Sequence, residues 1–189
     1  MVSAEGRILE RGVGNDSLTS AVTRLFPDGD YDEVDAAGKL VMPGFIDLHA
    51  HGSWGAAYDD GPEAVRVARA GHLWHGTTRQ VLSLITNPLD AMIESIQDVR
   101  GIMGQRPDIL GVHLEGPFIS PERKGAHDPN CLIDPSKEAV ERLLEASDGI
   151  IRQITIAPEL EGGLAAVAQL VAAGVIPAVG HTQADYEMT

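Results

Sequence analysis

Pro43-Gly44-Phe45-Ile46-Asp47-Leu48-His49-Ala50-His51-Gly52 is the stretch on which the fold turns. Phe45-Ile46-Asp47-Leu48 is a short, mostly apolar run bounded by Pro and Gly, the pattern of a buried strand. Alternate side chains of an extended backbone point to one side, so His49 and His51 can converge on one point. A neutral imidazole is a common metal ligand. The same spacing also suits two hydrogen-bonded surface histidines, and the pair by itself does not choose between these readings.

Downstream of this stretch, strand-like and helix-like patterns alternate. The spacing predicts a strand over Phe45–Leu48, a helix over Pro62–Trp74 and a strand over Gln80–Ile85. A helix opened by Asn87-Pro88 follows, reaching Ile96 and Val99 before Pro107, then a strand over Ile109–Leu114. A long loop spans 116–135. Ser136 can cap a helix over Lys137–Ala146, ahead of a strand over Ile151–Ala157. A helix over Gly163–Ala173 ends at Gly174, and a fifth strand covers Val175–Val179. Thr182–Tyr186 reads as the opening of a further helix, so the chain is expected to be the first part of a larger protein or a truncated piece of one.

Repeated strand–helix units imply a parallel sheet covered by helices. An open doubly wound sheet and a closed (β/α)8 barrel of the TIM type both answer to that description. No Gly-x-Gly-x-x-Gly turn follows a strand, which disfavours the dinucleotide-binding sheet. Polar residues stand just past several strands: His49 and His51 after the first, Glu115 after the third, Glu159 after the fourth and His181 after the fifth. A barrel collects such ends around one mouth. Only about strands one to five of eight are present in the 189 residues.

Residues 1–42 read differently. Gly12-Val13-Gly14-Asn15-Asp16, Pro27-Asp28-Gly29-Asp30 and Ala37-Gly38-Lys39 punctuate short apolar fragments, which predicts short strands and turns and no helix of useful length.

Composition narrows the function classes. Lys and Arg total 14 against 28 Asp and Glu, a formal charge of -14. Such a field repels nucleic acid and anionic membranes, so neither is an expected partner, and a phosphorylated substrate would need a local basic pocket. Cys131 is the only cysteine, so no intrachain disulfide can form, as suits a reducing compartment. No apolar stretch approaches the ~18 residues that would span a bilayer. The start of the chain lacks the basic and apolar regions of a signal peptide. The expectation is a cytoplasmic protein.

His49, His51, Glu115 and His181 together are three imidazoles and one carboxylate, a set that Zn²⁺ and other borderline divalent ions favour. Glu115 has two oxygens and could bridge two ions. A carboxylate at the end of an apolar strand needs a partner, and a metal is the preferred one. Such a site suits metal-assisted hydrolysis of a carbonyl. His113 shares a face with Glu115 and reads as a packed core residue. Asp47 reads as a structural hydrogen-bond partner, and Trp54 and Trp74 as packing residues. His72 and His75, near the end of a helix, are expected to interact with its C-terminus. Cys131 reads as a small unreactive residue.

The first-strand stretch resembles the amidohydrolase superfamily. Gly111-Val112-His113-Leu114-Glu115-Gly116-Pro117-Phe118, Lys124-Gly125-Ala126-His127-Asp128-Pro129, Ile156-Ala157-Pro158-Glu159 and Gly180-His181-Thr182-Gln183-Ala184 narrow this to the N-acetylglucosamine-6-phosphate deacetylase family. The likeness runs in order from about Met42 to the end of the chain. It implies a (β/α)8 barrel beginning at residue 43 and a small β-sandwich to which residues 1–42 contribute. It implies hydrolysis of the N-acetyl group of an amino-sugar phosphate, with one or two divalent ions, Zn first and Fe, Mn or Co as alternatives. Glu115 and His181 match family ligands, and His49 with His51 match members that carry a second ion. Ala126 and His127 match a substrate-contacting loop; without that match, His127 would be read as an exposed loop histidine. The family takes a further metal-binding His and its catalytic Asp from later strands, so no catalytic residue lies within this chain. The 189 residues alone are therefore expected not to deacetylate. A homodimer is also implied. Another amidohydrolase, such as a cyclic amidase or deaminase, or a non-catalytic metal-binding fragment, remains the alternative.

Overall fold

The computed structural model describes residues 1–12 and 14–189. The turn read at Gly12–Asp16 includes Val13, which lies outside the described residues. The chain divides into two units, Met1–Met42 and Pro43–Thr189.

The first unit corrects one expectation: it holds an α-helix, α1 (Asn15–Leu25). Leu18, Ala21, Val22 and Leu25 recur at helical spacing, and Asp16 and Arg24 sit at the ends the helix dipole favours. The flanking glycines and the run of Ser and Thr, indifferent helix formers, obscured that strip. β-pairing among the described residues of this unit is a single antiparallel bridge, Val2 to Ile8. Arg24 pairs with Glu10.

The second unit runs β1 (Phe45–Asp47), β2 (Gly52–Ser53), β3 (Ala56–Ala57), α2 (Pro62–Trp74), β4 (Thr77–Ile85), α3 (Leu89–Met103) and β5 (Ile109–Glu115). It continues with α4 (Lys137–Ser147), β6 (Ile151–Ile156), α5 (Gly163–Ala172) and β7 (Ile176–Val179). β2 and β3 form a hairpin. The other five strands form one sheet in the order β1-β4-β5-β6-β7, every neighbouring pair parallel. A doubly wound sheet starts inside and reverses direction; here spatial order follows chain order without a switch. The sheet is a five-stranded half-barrel, as the polar residues past the strand ends predicted.

Local chemistry explains the element ends. Pro62 opens α2, where a missing N–H costs nothing. The Ser136 hydroxyl accepts from the Ala139 N–H at 3.2 Å and caps α4. Leu82, Leu84, Val112, Leu114, Ile154 and Ile156 pack with Val65, Met92, Ile96, Val140, Leu143 and Leu170 of the helices in one core. Each such side chain contributes roughly 1.5–3 kcal/mol of transfer free energy. Arg69 of α2 is fully buried with them. Its guanidinium donates to Asp108 (3.0 Å), to Gln80 Oε1 (2.6 Å) and to the Thr77 carbonyl (3.2 Å), while the Tyr58 hydroxyl shares Gln80 Oε1 at 2.7 Å.

Two further expectations are corrected in this unit. Thr182–Tyr186 is not helical. Glu159 accepts from the Thr182 hydroxyl and from the Gln183 N–H, and the Asp185 carboxylate accepts from the Glu187 and Met188 N–H groups. Backbone donors are thus committed to side chains, an alternative to helical pairing. Trp54 and Trp74 do not pack inside: they are 59% and 79% exposed. Trp54 occupies a positive-φ turn position in the β2–β3 hairpin, its ring over Gly71 of α2, and Trp74 closes α2 on its outer side.

Candidate metal centre

The extended backbone continues past β1. The Ala50 carbonyl accepts from the Ser83 N–H of β4 at 3.1 Å, and His49 and His51 project together to one side. Their Nε2 atoms are 3.2 Å apart. Asp47 makes the structural bond expected of it, its carboxylate accepting from the His49 N–H at 3.0 Å. His72 bonds away from its own helix terminus, its Nε2 3.1 Å from the Gly52 carbonyl and its Nδ1 3.7 Å from Asp47.

Glu115, at the end of β5, is the centre of the cluster. Oε1 lies 3.3 Å from both His49 Nε2 and His181 Nε2. Oε2 lies 2.9 Å from His51 Nε2 and 3.4 Å from His127 Nε2. The four residues expected to hold metal are therefore brought together, and His127 joins them. His127 is 3% exposed; it is not the exposed loop histidine of the alternative reading, although its neighbours in the loop are solvated. The turn Lys124–His127 closes through the His127 N–H and the Lys124 carbonyl (3.1 Å), and the Lys124 ammonium donates to the His127 carbonyl at 3.1 Å. Ala126 stays on the exposed side of that turn.

The same loop orients His181. Its Nδ1 is 2.7 Å from the Arg123 carbonyl, which fixes the tautomer that presents Nε2 to Glu115. The Ser120 N–H donates to the His181 carbonyl at 2.9 Å. Thr86 donates to the Glu115 carbonyl at 2.6 Å. Beneath the cluster, His113 is fully buried, with Nδ1 2.9 Å from Ser83 Oγ and Nε2 2.8 Å from Thr155 Oγ1.

These contacts shape the electrostatics. The hydrogen bond from His51 holds the Glu115 carboxyl down to about 2, against the opposing effect of burial. The same bond raises His51. Burial lowers His127 and takes His113 down to about 4, so the latter ring is neutral. Asp59, whose carboxylate accepts from the Ile85 N–H at 3.1 Å, is pushed up to about 6 by burial.

The donor set fits a divalent cation. Two groups of ligand atoms, His49–His51–Glu115 and Glu115–His127–His181, each lie within 4.8 Å of one another among the described residues. Imidazole nitrogens face one another across 3.2 Å, an arrangement that a shared proton or a cation between them reconciles. His51 Nδ1 and His127 Nδ1 are buried without a partner. Sequence reasoning passed over Ser83, Thr155 and Thr86. Ser83 carried a signal, as the polar break in the apolar run Val81–Ile85; Thr155 did not stand out, because β6 also carries Arg152 and Gln153.

A parallel β/α half-barrel whose strand ends gather imidazoles around one carboxylate is the opening of an α/β-barrel protein with the donor set of a metal centre. The chain belongs to the amidohydrolase family, whose sequence profile matches residues 40–185. It is 31% identical over 192 residues to an N-acetylglucosamine-6-phosphate deacetylase of Lysinibacillus sphaericus, covering 99% of this chain and 50% of that protein. The crystal structure of N-acetyl-D-glucosamine-6-phosphate deacetylase from Mycobacterium smegmatis superposes with a TM-score of 0.74 at 41% identity, over 77% of this chain and 39% of that one. A D267A mutant of the same enzyme, in complex with N-acetyl-D-glucosamine-6-phosphate, matches with a TM-score of 0.74 at 42% identity, over 77% and 38%. The chain spans about half the length of the curated relatives it matches.

Proposed function

We propose that this chain is the metal-holding part of an N-acetylglucosamine-6-phosphate deacetylase, releasing acetate and glucosamine 6-phosphate. The observation that supports it most is the convergence of His49, His51, His127 and His181 on the two oxygens of Glu115. The names of the similar proteins, and the amino-sugar phosphate bound to one of them, supply the substrate.

His49, His51, Glu115 and His181 would hold one or two divalent ions, with Glu115 between them. Zn²⁺ is the preferred ion, and Fe, Mn or Co are alternatives. A bound divalent ion polarises an amide carbonyl and lowers the pKa of water toward ~7. The chain's own contribution is orientation. The Arg123 carbonyl holds the His181 ring, and the Lys124–His127 turn presents Ala126 and His127 to the amino sugar. Residues 1–42 are assigned to a small β-sandwich and 43–189 to the opening of the hydrolase barrel. The acid that protonates the leaving amine would come from a later strand. A homodimer and a cytoplasmic setting belong to the same reading, and the single Cys131 accords with the latter.

The test is acetate release from N-acetylglucosamine 6-phosphate by the complete protein, metal-stripped and then restored with Zn²⁺. Metal-dependent release is expected, with none from the 189-residue chain alone. A complete protein silent on this substrate and active on a cyclic amide overturns the reading.

A further inference from the structure

Three features stand outside the roles already assigned: the exposed Trp54 and Trp74, the groove between the starts of α4 and α5, and the buried His113. Only the last has partners on every side that define what it does.

The ring of His49 lacks the usual brace. His181 has the Arg123 carbonyl behind its second nitrogen. A ligating histidine ordinarily has such a partner, because it fixes the ring's plane and tautomer. His49 Nδ1 makes no hydrogen bond among the described residues; the bonds of its ring run from Nε2 to His51 and Glu115. What borders the ring instead is aromatic. His113 stands edge-on to it, with centroids 4.6 Å apart at 73°, and His51 lies 5.2 Å away at 71°.

His113 is itself immobilised. Ser83 of β4 and Thr155 of β6 take both of its ring nitrogens, at 2.9 and 2.8 Å. A neutral imidazole with both nitrogens engaged has one rotational setting. Hydrogen bonding to the buried Ser83 and Thr155 hydroxyls accounts for a polar residue at this position, but not for an aromatic ring turned edge-on to His49. We propose that His113 is a positioning residue for the metal centre: clamped between two neighbouring strands, its ring fixes the plane of the His49 imidazole.

The proposal rests on the reading of His49 as a metal ligand. The test is Co²⁺ titration of the purified complete protein, followed by the visible d–d bands, which report ligand geometry independently of turnover. His113→Gln keeps hydrogen-bonding capacity toward Ser83 and Thr155 and removes the ring. It is expected to weaken Co²⁺ binding about tenfold and to alter the band pattern. In a His49→Ala background the same change should have no further effect, because the ring it positions is gone. Ser83→Ala with Thr155→Val keeps the His113 ring and releases both of its nitrogens; it should weaken Co²⁺ binding by about threefold or more in the parent and have no effect in a His49→Ala background. This double variant carries the test if His113→Gln does not fold. Unchanged affinity and bands in folded His113→Gln, or an equal loss with and without His49, overturns the positioning role alone. A parent chain that takes up no cobalt overturns the metal reading and this proposal with it.

Discussion

Glu115 Oε2 stands 2.9 Å from His51 Nε2, joining the end of β5 to the stretch that follows β1. The contact holds the Glu115 carboxyl near 2 and raises His51. An acid depressed in the folded state stabilises it above the unfolded value and loses that contribution as pH falls through the folded one. Glu115 is thus ionised at neutral pH and offers a negative charge to a cation.

Glu115→Gln preserves shape and removes the charge that all four imidazoles face. Zn²⁺ affinity by calorimetry is expected to fall by more than ~100-fold, beyond the ~10–100-fold typical of losing an outer partner. Far-ultraviolet circular dichroism should stay unchanged, since the core does not depend on the carboxylate. Undiminished zinc binding would remove Glu115 from the centre.

Asp59 gives a pH dependence of opposite sign. Burial raises its carboxyl to about 6, above the unfolded value. Stability attached to the protonated form is fully present below ~4 and is lost as pH rises through about 6. Asp59→Asn can still accept from the Ile85 N–H and carries no charge to bury. It is expected to be the more stable chain at pH 8 by on the order of 2 kcal/mol, with allowance for solvent screening, and to lose that advantage at pH 4. Urea midpoints of both proteins at the two pH values measure this; a pH-independent difference would show that Asp59 does not titrate in this range.

Much of this arrangement was legible in the sequence because two periodicities carried it. Phe45–Leu48, Gln80–Ile85 and Ile109–Leu114 are apolar runs of strand length, though Phe45, Ile46 and Leu48 of the first stand exposed at the sheet edge rather than buried, and Pro62 and Ser136 mark helix starts by their own chemistry. His49 and His51 were readable from their spacing, and Glu115 and His181 from their place after strands. The burial of His127 was not: its loop has the composition of a solvated turn, and its ring turns inward to Glu115, a partner distant in sequence. The helix α1 carried its apolar strip at Leu18, Ala21, Val22 and Leu25, but adjacent glycines outweighed that strip. At Thr182–Tyr186 the reverse occurred: Glu159, distant in sequence, accepts from the Thr182 hydroxyl and the Gln183 N–H and ties the segment down in an irregular course.

Arg69 tests what lies beneath the mouth. It is fully buried and pairs with Asp108, which Arg106 also holds. Against burial, Arg106 and Arg69 together keep the Asp108 carboxyl below its ordinary value. Removing one partner of a buried pair typically costs ~3–5 kcal/mol because the other is stranded. Here Arg106 remains, so Arg69→Leu is expected near ~3 kcal/mol in denaturant unfolding. Zinc affinity should be unchanged. A loss below ~1 kcal/mol would mean that Arg106 alone satisfies Asp108.

Gly116 follows Glu115 with φ +91°, and a Cβ there would lie 2.1 Å from Thr86 Oγ1. That hydroxyl donates to the Glu115 carbonyl at 2.6 Å. Gly116→Ala therefore meets two separable obstacles, a backbone conformation worth ~1–2 kcal/mol to an L-residue and a side-chain clash. The combined cost is expected near ~3 kcal/mol. Thr86→Ala removes the clash and leaves the backbone strain, so in that background the same substitution should cost only ~1–2 kcal/mol. Equal costs in the two backgrounds would show that the Thr86 hydroxyl does not confine this turn, and that the Glu115 carboxylate is held by its imidazole partners rather than by the backbone behind it.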